Sequence, residues 1–408
     1  MSKLSIRVAL AVVVGGILAV TLLPASGEAT PMWCEACGER GVGGVAHVLV
    51  NIILFAPFGA LLALAGVRRR WNWLSGGLLS SVIECAQLFI PGRFASIDDV
   101  LWNTTGTIVG SLMPIAVLGW LRRSAHPATA AALAPAGAVV LAVAATGWLL
   151  RPRFPRDIDY YVQWAPVLGD VETYRGRVLR AELGSVAVPS GRLLDTPRVR
   201  SLLIAGAPLR VQVVAGPPVR NLATVFGVND GVRDVVLFGL DRNDFVLRYL
   251  TRAYAWGLEQ GDLRLRGAAH TLAPGAPLNL AMWRKRGQLC LRFNARRTCH
   301  LGFTPGRGWA FLIPPDGFPE WLHRLMDLSW IGGLLFLVGF VSRGDRNALL
   351  VGGGVSLLGL AVLPPVVGLL NTPPLEFLAA VAGQTAGAVA YTVFARRAQT
   401  SAAGVPTQ

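Results

Sequence analysis

The chain has 408 residues, of which 53% are hydrophobic and only 15% are charged. This composition excludes an ordinary soluble protein and is typical of a polytopic membrane protein. A net charge of +15 would indicate nucleic acid in a soluble protein, but here arginine clusters flank apolar segments as cytoplasmic anchors do, so we expect no nucleic-acid partner.

Five apolar segments precede residue 151, each close to the roughly 20 residues that cross a bilayer. They lie at about 6–24, 46–67, 73–90, 99–121 and 128–150. A cleaved signal peptide is an alternative for the first, because Pro24-Ala25-Ser26 resembles a cleavage site. We favour an uncleaved helix, since an even total of spans puts every arginine cluster on one side of the membrane.

The second and third spans carry polar side chains, and an acid in the bilayer core costs about 3 kcal/mol. His47 and Asn51 lie four residues apart, on one helical face. Ser80, Glu84 and Gln87 share a face of the next span. Glu84 lies about two turns inside its span, so a chain end does not explain it.

The fourth span begins with the sequence "SIDD", in which Ser96 caps the helix and Asp99 follows three residues later. Asp99 and Asn103 align with Gly106 and Gly110, and small residues at this spacing allow close helix contact. The acids at this helix start also favour the helix dipole, so a purely structural role is an alternative.

We expect the polar faces of the three spans to meet in a pocket near the outer leaflet, with Arg93 pairing with an acid. The predicted pocket contains His47, Asn51, Glu84, Gln87, Arg93, Asp98, Asp99 and Asn103. The alternative is that these groups only hold the helices together.

Residues 45–120 resemble the VanZ-like membrane family. The pattern of that family is matched by Asn51, Phe55, Pro57, Gly59, Ser80, Glu84, Gln87, Arg93, Asp98, Asp99, Asn103, Gly106 and Gly110. The resemblance implies a link to glycopeptide (teicoplanin-type) antibiotic resistance, although it implies no defined biochemical activity. The chain departs from short family members by its long insertion and three additional spans.

Residues 155–320 are less apolar and contain short alternating runs separated by turns, a pattern that predicts an antiparallel β-sandwich or jelly roll. The strand-like runs are 207–215, 222–228, 234–240, 244–250, 262–267, 278–294 and 308–314. The sequences "GLDRND" and "RKRGQ" are predicted hairpin turns.

Four cysteines lie in segments predicted to be outside the cytoplasm. A two-residue turn at Asn294-Ala295 would place Cys290 opposite Cys299, so we expect a disulfide there. Cys34 and Cys37 form the sequence "CEAC", for which a local disulfide or free thiols are expected, because no second ligand pair indicates a metal site. Cys85, inside the third span, is expected to be buried.

The run from Leu278 to Pro314 is similar to concanavalin A-like lectin/glucanase (laminin-G-type) sandwiches, and this resemblance covers about residues 160–315. It implies carbohydrate binding. Residues 155–318 contain 22 Lys and Arg against 13 Asp and Glu, a net charge of +9 that would attract anionic wall polymers or lipid headgroups. Arginine-rich coding is the alternative explanation of this charge.

We expect no cofactor and no resident metal. Calcium is an alternative for "NDGVRD" and "DRND", whose oxygens would suit that ion, although hairpin turns favour the same residues. No carboxylate pair of the kind that glycosidases use is evident, so we predict no hydrolysis by this segment.

Three more spans at about 325–342, 347–370 and 375–395 bring the total to eight. Aligning Gly383 and Gly387 with Gly106 and Gly110 places Glu376 over Asp99. This match indicates either an internal repeat or chance similarity among Gly- and Ala-rich spans.

The sequence therefore predicts an α-helical membrane protein with an inserted all-β domain. Its expected parts are a VanZ-like helical domain (1–150), an extracytoplasmic sandwich (155–320), C-terminal spans (321–398) and a disordered tail (399–408). The arginine clusters place both termini in the cytoplasm of a bacterial cell.

Three functional hypotheses follow. The first is a non-catalytic protein that binds membrane lipid and a glycan, anionic wall polymer or lipid-linked envelope component, and modulates glycopeptide susceptibility. The second is a membrane-embedded enzyme or carrier acting on a lipid-linked cell-wall precursor through Glu84, Asp98 or Asp99. The third is a structural protein in which the polar faces only pack helices.

Overall fold

The computed structural model describes residues 3–22, 44–90, 93, 95–123, 127–167, 172–259, 261–285, 288–313 and 319–403. The chain divides into two compact units. The first comprises Met1–His126 with Trp256–Leu258, and the second comprises Pro127–Ala255 with Glu259–Gln408.

The first unit is a four-helix assembly of α1 (Lys3–Leu22), α2 (Val45–Leu64), α3 (Arg69–Gln87) and α4 (Ile97–Arg123). Its apolar core lies where the first three helices meet, and contains Ile17, Phe55, Phe58, Leu62 and Ile83. Phe55, Phe58 and Leu62 follow one another at intervals of three and four residues, so they share one face of α2.

The second unit contains α5 (Ala128–Leu149), α7 (Glu320–Val341), α8 (Arg346–Val367) and α9 (Pro374–Ala403). α5, which the sequence assigned to the first domain, packs in this unit, where Gly147 contacts Val367 of α8. α9 continues beyond residue 399, where a disordered tail was predicted, to Ala403.

Seven of these eight helices are long and apolar enough to cross a membrane, so the chain is a multi-pass membrane protein. α3 is the exception among the long helices of the described residues, because it begins with Arg69 and Arg70 and carries Glu84 and Gln87. Cys85 is exposed on the outer surface of α3, so the prediction that it is buried was wrong. The buried face of this helix carries the polar side chains instead.

The β-domain between α5 and α7 consists of two six-stranded antiparallel sheets. The first sheet has the order β4 (Gly191–Arg192), β1 (Tyr161–Trp164), β6 (Ala223–Asn229), β7 (Asp234–Asp241), β8 (Asp244–Tyr249) and β9 (Leu263–Leu265). The second has the order β12 (Arg296–Leu301), β11 (Gln288–Phe293), β10 (Pro277–Lys285), β5 (Leu209–Val214), β2 (Arg177–Leu183) and β3 (Val186–Ala187).

The two sheets form a sandwich around an aromatic core. Phe245 of the first sheet and Phe293 of the second have ring centroids 5.8 Å apart. Phe238 lies edge-on to Phe245, with centroids 5.4 Å apart, an arrangement that aromatic rings favour. The prediction of an inserted β-sandwich is confirmed.

The predicted strands between residues 207 and 294 correspond to β5–β11, but the predicted strand at 308–314 was wrong. Pro305–Phe311 is instead a 3-10 helix. Its turns are closed by i to i+3 bonds such as Arg307 N to the Thr304 carbonyl (3.0 Å). Two glycines and a proline within seven residues disfavour a strand.

Sequence analysis missed the four short strands β1–β4 and the helix α6 (Thr196–Ala205). α6 begins where the Asp195 side chain accepts a bond from Arg198 N (3.0 Å), and it ends at Gly206, whose φ is 73°. β3 and β4 have only two residues each, and a register shift between Val178 and Arg180 interrupts the alternation of β2.

The hairpin of β11 and β12 turns at Asn294, whose φ is 51°. Phe293 pairs with Arg296, Arg292 with Arg297 and Leu291 with Thr298, the register that the sequence predicted. Cys290 and Cys299 form a disulfide on this hairpin. Cys34 and Cys37 lie outside the described residues.

The turn sequence "NDGVRD" uses its side-chain oxygens locally. Asn229 Oδ1 accepts from Gly231 N (3.0 Å) and Asp230 Oδ1 from Arg233 N (2.7 Å). Within the described ranges, no three or more His, Cys, Asp or Glu residues are grouped so as to hold a metal ion.

Candidate functional site

The centre of the candidate site lies where α2 meets the first turn of α4. His47 Nε2 is 2.7 Å from Asp99 Oδ1, and Asn51 Nδ2 donates to the same oxygen at 2.9 Å. His47 and Asn51 converge on Asp99 because they are one helical turn apart on α2. The His47 side chain is 41% exposed and that of Asp99 is 19% exposed, so the pair is accessible from outside the helices.

Glu84 of α3 is buried and holds the start of α4. Its Oε2 accepts a bond from Ser96 N (2.8 Å), while Ser96 Oγ accepts one from Asp98 N (3.2 Å). Together these bonds satisfy two of the N–H groups that a helix start leaves without a partner. The Asp98 side chain is exposed beside this cap.

Asn103 joins α4 to α3 deeper in the first unit. Its Nδ2 donates to Ser80 Oγ at 2.9 Å, and both residues are fully or almost fully buried. Within the described part of the chain, Asn103 Oδ1 and His47 Nδ1 are buried atoms without a hydrogen-bond partner. Buried polar atoms are nearly always satisfied in proteins, so these two indicate a missing partner such as water or a ligand.

Gln87 and Arg93 hold the end of α1. Gln87 Nε2 donates to the Thr21 carbonyl at 3.0 Å, and Arg93 Nη2 donates to the Val20 carbonyl at 2.9 Å. The structure thus brings His47, Asn51 and Asp99 together, places Glu84, Asp98 and Asn103 around them, and gives Gln87 and Arg93 contacts to α1. The role of α1 was missed, because backbone carbonyls leave no signal in a sequence.

Glycines allow the close crossing of α2 and α4 that brings His47 to Asp99. A Cβ atom at Gly110 would lie 1.9 Å from the Ala56 carbonyl oxygen, and one at Gly106 would lie 2.5 Å from that of Ile52. At Gly59 it would lie 2.0 Å from the Thr107 carbonyl oxygen. No side chain fits at these distances, so glycine is required at all three positions.

The second unit repeats this crossing between α7 and α9. Gly383 contacts Gly332, Gly387 contacts Phe336, and Gly339 contacts Gln384, and in each case a Cβ atom on the first-named glycine would lie 1.8–2.1 Å from a backbone oxygen. The α2 positions 52, 56 and 59 thus correspond to 332, 336 and 339, and the α4 positions 106, 107 and 110 to 383, 384 and 387. Within each helix, the three positions are separated by the same numbers of residues in the first unit as in the second.

The third helix of each set follows the same plan. Gly76 of α3 faces Thr107, and Gly353 of α8 faces Gln384, the counterpart of Thr107. Three helices therefore correspond in contacts and in order, which favours an internal repeat over chance similarity. In chain order, the β-domain lies between α5 and α7, and residues 23–44 lie between α1 and α2.

The repeat also matches the polar positions, with Glu376 at the place of Asp99 and Asp327 at that of His47. Glu376 accepts bonds from Thr304 Oγ1 (2.5 Å) and Gly306 N (3.0 Å). Asp327 accepts bonds from Trp309 Nε1 (2.6 Å) and Arg307 Nη2 (3.2 Å). All four donors come from residues 304–311 of the β-domain, which we call the docking segment.

The docking segment is buried against the helices. Trp309 is only 4% exposed, and Glu376 only 3%. Burial lowers the pKa of the Arg307 guanidinium, and the nearby Asp327 carboxylate opposes this shift. The alignment of Glu376 with Asp99 is the one indication of this cluster that was found in the sequence. Sequence analysis missed Asp327, Arg307 and Trp309.

Residues 12–118 match the family model described as VanZ/LLP1. The matched segment includes every residue of the candidate site in the first unit. No curated protein sequence and no solved structure gives a significant match to the chain.

Proposed function

We propose, from the premise that residues 12–118 form a VanZ/LLP1 domain, that this domain binds a glycan or lipid-linked component of the bacterial cell envelope. Binding takes place at the site formed by α2, α3 and α4. Through it, the protein modulates susceptibility to glycopeptide antibiotics. The protein acts by binding, and the β-domain provides a second contact with the envelope.

The observation that carries this proposal is a pair of buried atoms without a partner among the described residues: His47 Nδ1, in the accessible His47–Asp99 pair, and Asn103 Oδ1, deeper between α3 and α4. The buried carboxylate of Glu84, by contrast, accepts a bond from Ser96 N. The site offers both donors and acceptors, which suits the hydroxyl and amide groups of a sugar.

The proposed topology places the site near the outer leaflet. With both termini cytoplasmic, the start of α4 and the end of α3 face outward, and so does the β-domain. The Cys290–Cys299 disulfide supports an outer location for that domain, since disulfides persist in oxidising compartments.

Substitution of the His47–Asp99 pair tests the proposal. In a strain that depends on this protein for teicoplanin tolerance, Asp99→Asn and His47→Gln should each lower the tolerated concentration at least fourfold, with unchanged protein level in the membrane. Thr105→Val is the matched control, because the Thr105 hydroxyl bonds the Leu101 carbonyl of its own helix (2.9 Å). Wild-type tolerance in both site variants would refute the proposal.

An enzymatic role is the second candidate, and the His47–Asp99 geometry favours it. A carboxylate that bonds one imidazole nitrogen orients the other to accept a proton, as in many general bases. In this case Glu84→Gln and Asp99→Asn would abolish turnover of a lipid-linked precursor while its binding remained. Equal loss of binding and turnover in both variants would instead support the binding role.

A further inference from the structure

The outer face of the second sheet carries a row of arginines that the helical site does not use. Arg297, Arg292, Ala281 and Arg210 are successive register partners on β12, β11, β10 and β5. All three arginines are exposed in the described structure. Because neighbouring strands are about 4.8 Å apart, their guanidinium groups originate within about 15 Å along a line across the strands.

Trp283, two residues beyond Ala281 on β10, holds two of these arginines in place. The Arg297 guanidinium lies 4.9 Å from the centre of the Trp283 ring, and that of Arg292 lies 5.9 Å away. Stacking on an aromatic ring fixes the plane of a guanidinium without using its N–H donors. The donors thus remain available for a second partner.

Further basic residues extend the same face. Arg177, Arg180 and Lys285 are exposed on it, at outward positions of β2 and β10. Glu182 continues the row next to Arg210 and forms an ion pair with Arg180. The row itself is otherwise occupied by Ala281 and Ala187, so its charge is strongly positive.

We propose that this row binds an extended anionic polymer that lies across the strands and carries a phosphate or carboxylate on each repeat. Guanidinium groups bind both anions through paired N–H donors. A line of positive charges across four strands complements an extended polymer better than a single small anion. Membrane binding is less well matched, because it combines basic charge with inserted apolar side chains, and the apolar members of the row are alanines.

This inference deepens the envelope contact proposed above for the β-domain and does not depend on the His47–Asp99 site. Loss of polymer binding in an arginine variant with normal glycopeptide tolerance would therefore separate the two proposals. Normal polymer binding in a His47 or Asp99 variant with lowered glycopeptide tolerance would separate them as well.

The test uses the full-length protein in nanodiscs of phosphatidylcholine alone, with fluorescent linear polyphosphate and poly-glutamate as separate probes. The triple variant Arg210→Gln, Arg292→Gln, Arg297→Gln should bind at least tenfold more weakly to the matching polymer. Its affinity should also depend less steeply on salt, because fewer counterions are released. Arg210→Gln alone, which leaves both Trp283 contacts intact, should weaken binding about threefold.

The matched control removes the same charge from exposed positions elsewhere in the β-domain, with Arg156→Gln, Arg198→Gln and Arg220→Gln. It should bind within twofold of wild type. An equal loss in this control, no binding of either polymer by the wild type, or capture only by phosphatidylglycerol vesicles would overturn the proposal. Thermal unfolding of each variant checks that the domain remains folded.

Discussion

The two helical halves of this protein share one kind of helix crossing but differ in what contacts its polar residues. In the first half, His47 and Asp99 face each other at the accessible end of α2 and α4. In the second half, Asp327 and Glu376 occupy these positions and are bound by the docking segment of the β-domain. The comparison shows that the same polar positions near a helix end are accessible in one half and covered by an inserted domain in the other.

Asp327 stands in the second half at the position that His47 has in the first. This difference explains why residues of the same chain cover the second site. A histidine beside an aspartate forms a complementary pair, whereas two neighbouring carboxylates repel each other and need donors. Arg307, Trp309, Thr304 and Gly306 provide those donors. Leaving Asp327 and Glu376 without these donors would therefore cost folding free energy. The His47–Asp99 pair needs no such donors.

The largest effect is expected from blocking the two helix crossings. Gly110→Leu and Gly387→Leu would each force a side chain into a backbone oxygen, at 1.9 and 2.1 Å for the first carbon alone. Each should lower the free energy of unfolding by about 3 kcal/mol or more, measured by thermal unfolding in detergent.

Two glycines without neighbours within 4 Å provide the controls for this pair. Gly119→Leu in α4 and Gly333→Leu in α7 should leave the unfolding temperature nearly unchanged. A stable Gly387→Leu protein beside a disrupted Gly110→Leu protein would contradict the repeat.

A smaller effect is expected where the β-domain meets the helices. Glu376→Gln replaces the carboxylate that binds Thr304 and Gly306 with an amide, one of whose two groups donates instead of accepting. We expect a loss of about 2 kcal/mol, because a buried donor loses its partner. The same change at the exposed Glu320, which pairs with Arg324 on the surface of α7, should cost well under about 1 kcal/mol.

Removing one donor of the docking segment should have less effect again. Thr304→Val deletes the hydroxyl that bonds Glu376 and keeps the side-chain volume. The expected loss is about 1 kcal/mol, the usual contribution of one hydrogen bond. Thr385→Val on α9, whose hydroxyl bonds its own helix at Val381, is the control in the same assay.

The smallest effect on stability is expected in the first half. Asp99→Asn keeps an oxygen that can accept the bond from Asn51, and the site is partly exposed, so we expect a loss below about 1 kcal/mol. The unfolding temperatures of Asp99→Asn and Glu376→Gln, measured side by side, give the comparison directly. If Asp99→Asn were the more damaging of the two, the first site would be structural.

The sequence was sufficient to predict the eight long helices and the core of the sandwich, because long apolar spans and strict alternation leave clear patterns. It also identified His47, Asn51 and Asp99, which follow helical spacing. It could not place Arg93 at the end of α1, since that contact depends on how separate helices pack. The docking segment was predicted as part of a strand because "GWAFLIP" is apolar, whereas tertiary contacts to Asp327 and Glu376 hold it as a 3-10 helix.

The β-domain is joined to the second helical unit at more places than its two chain ends. At its base, Tyr249 Oη donates to the Leu150 carbonyl (3.4 Å), Arg252 stacks on Trp148 and the docking segment is bound by α7 and α9. A mechanical load on the domain would consequently be shared among three helices instead of pulling on one linker. A displacement of the domain would therefore be passed to α5, α7 and α9 together.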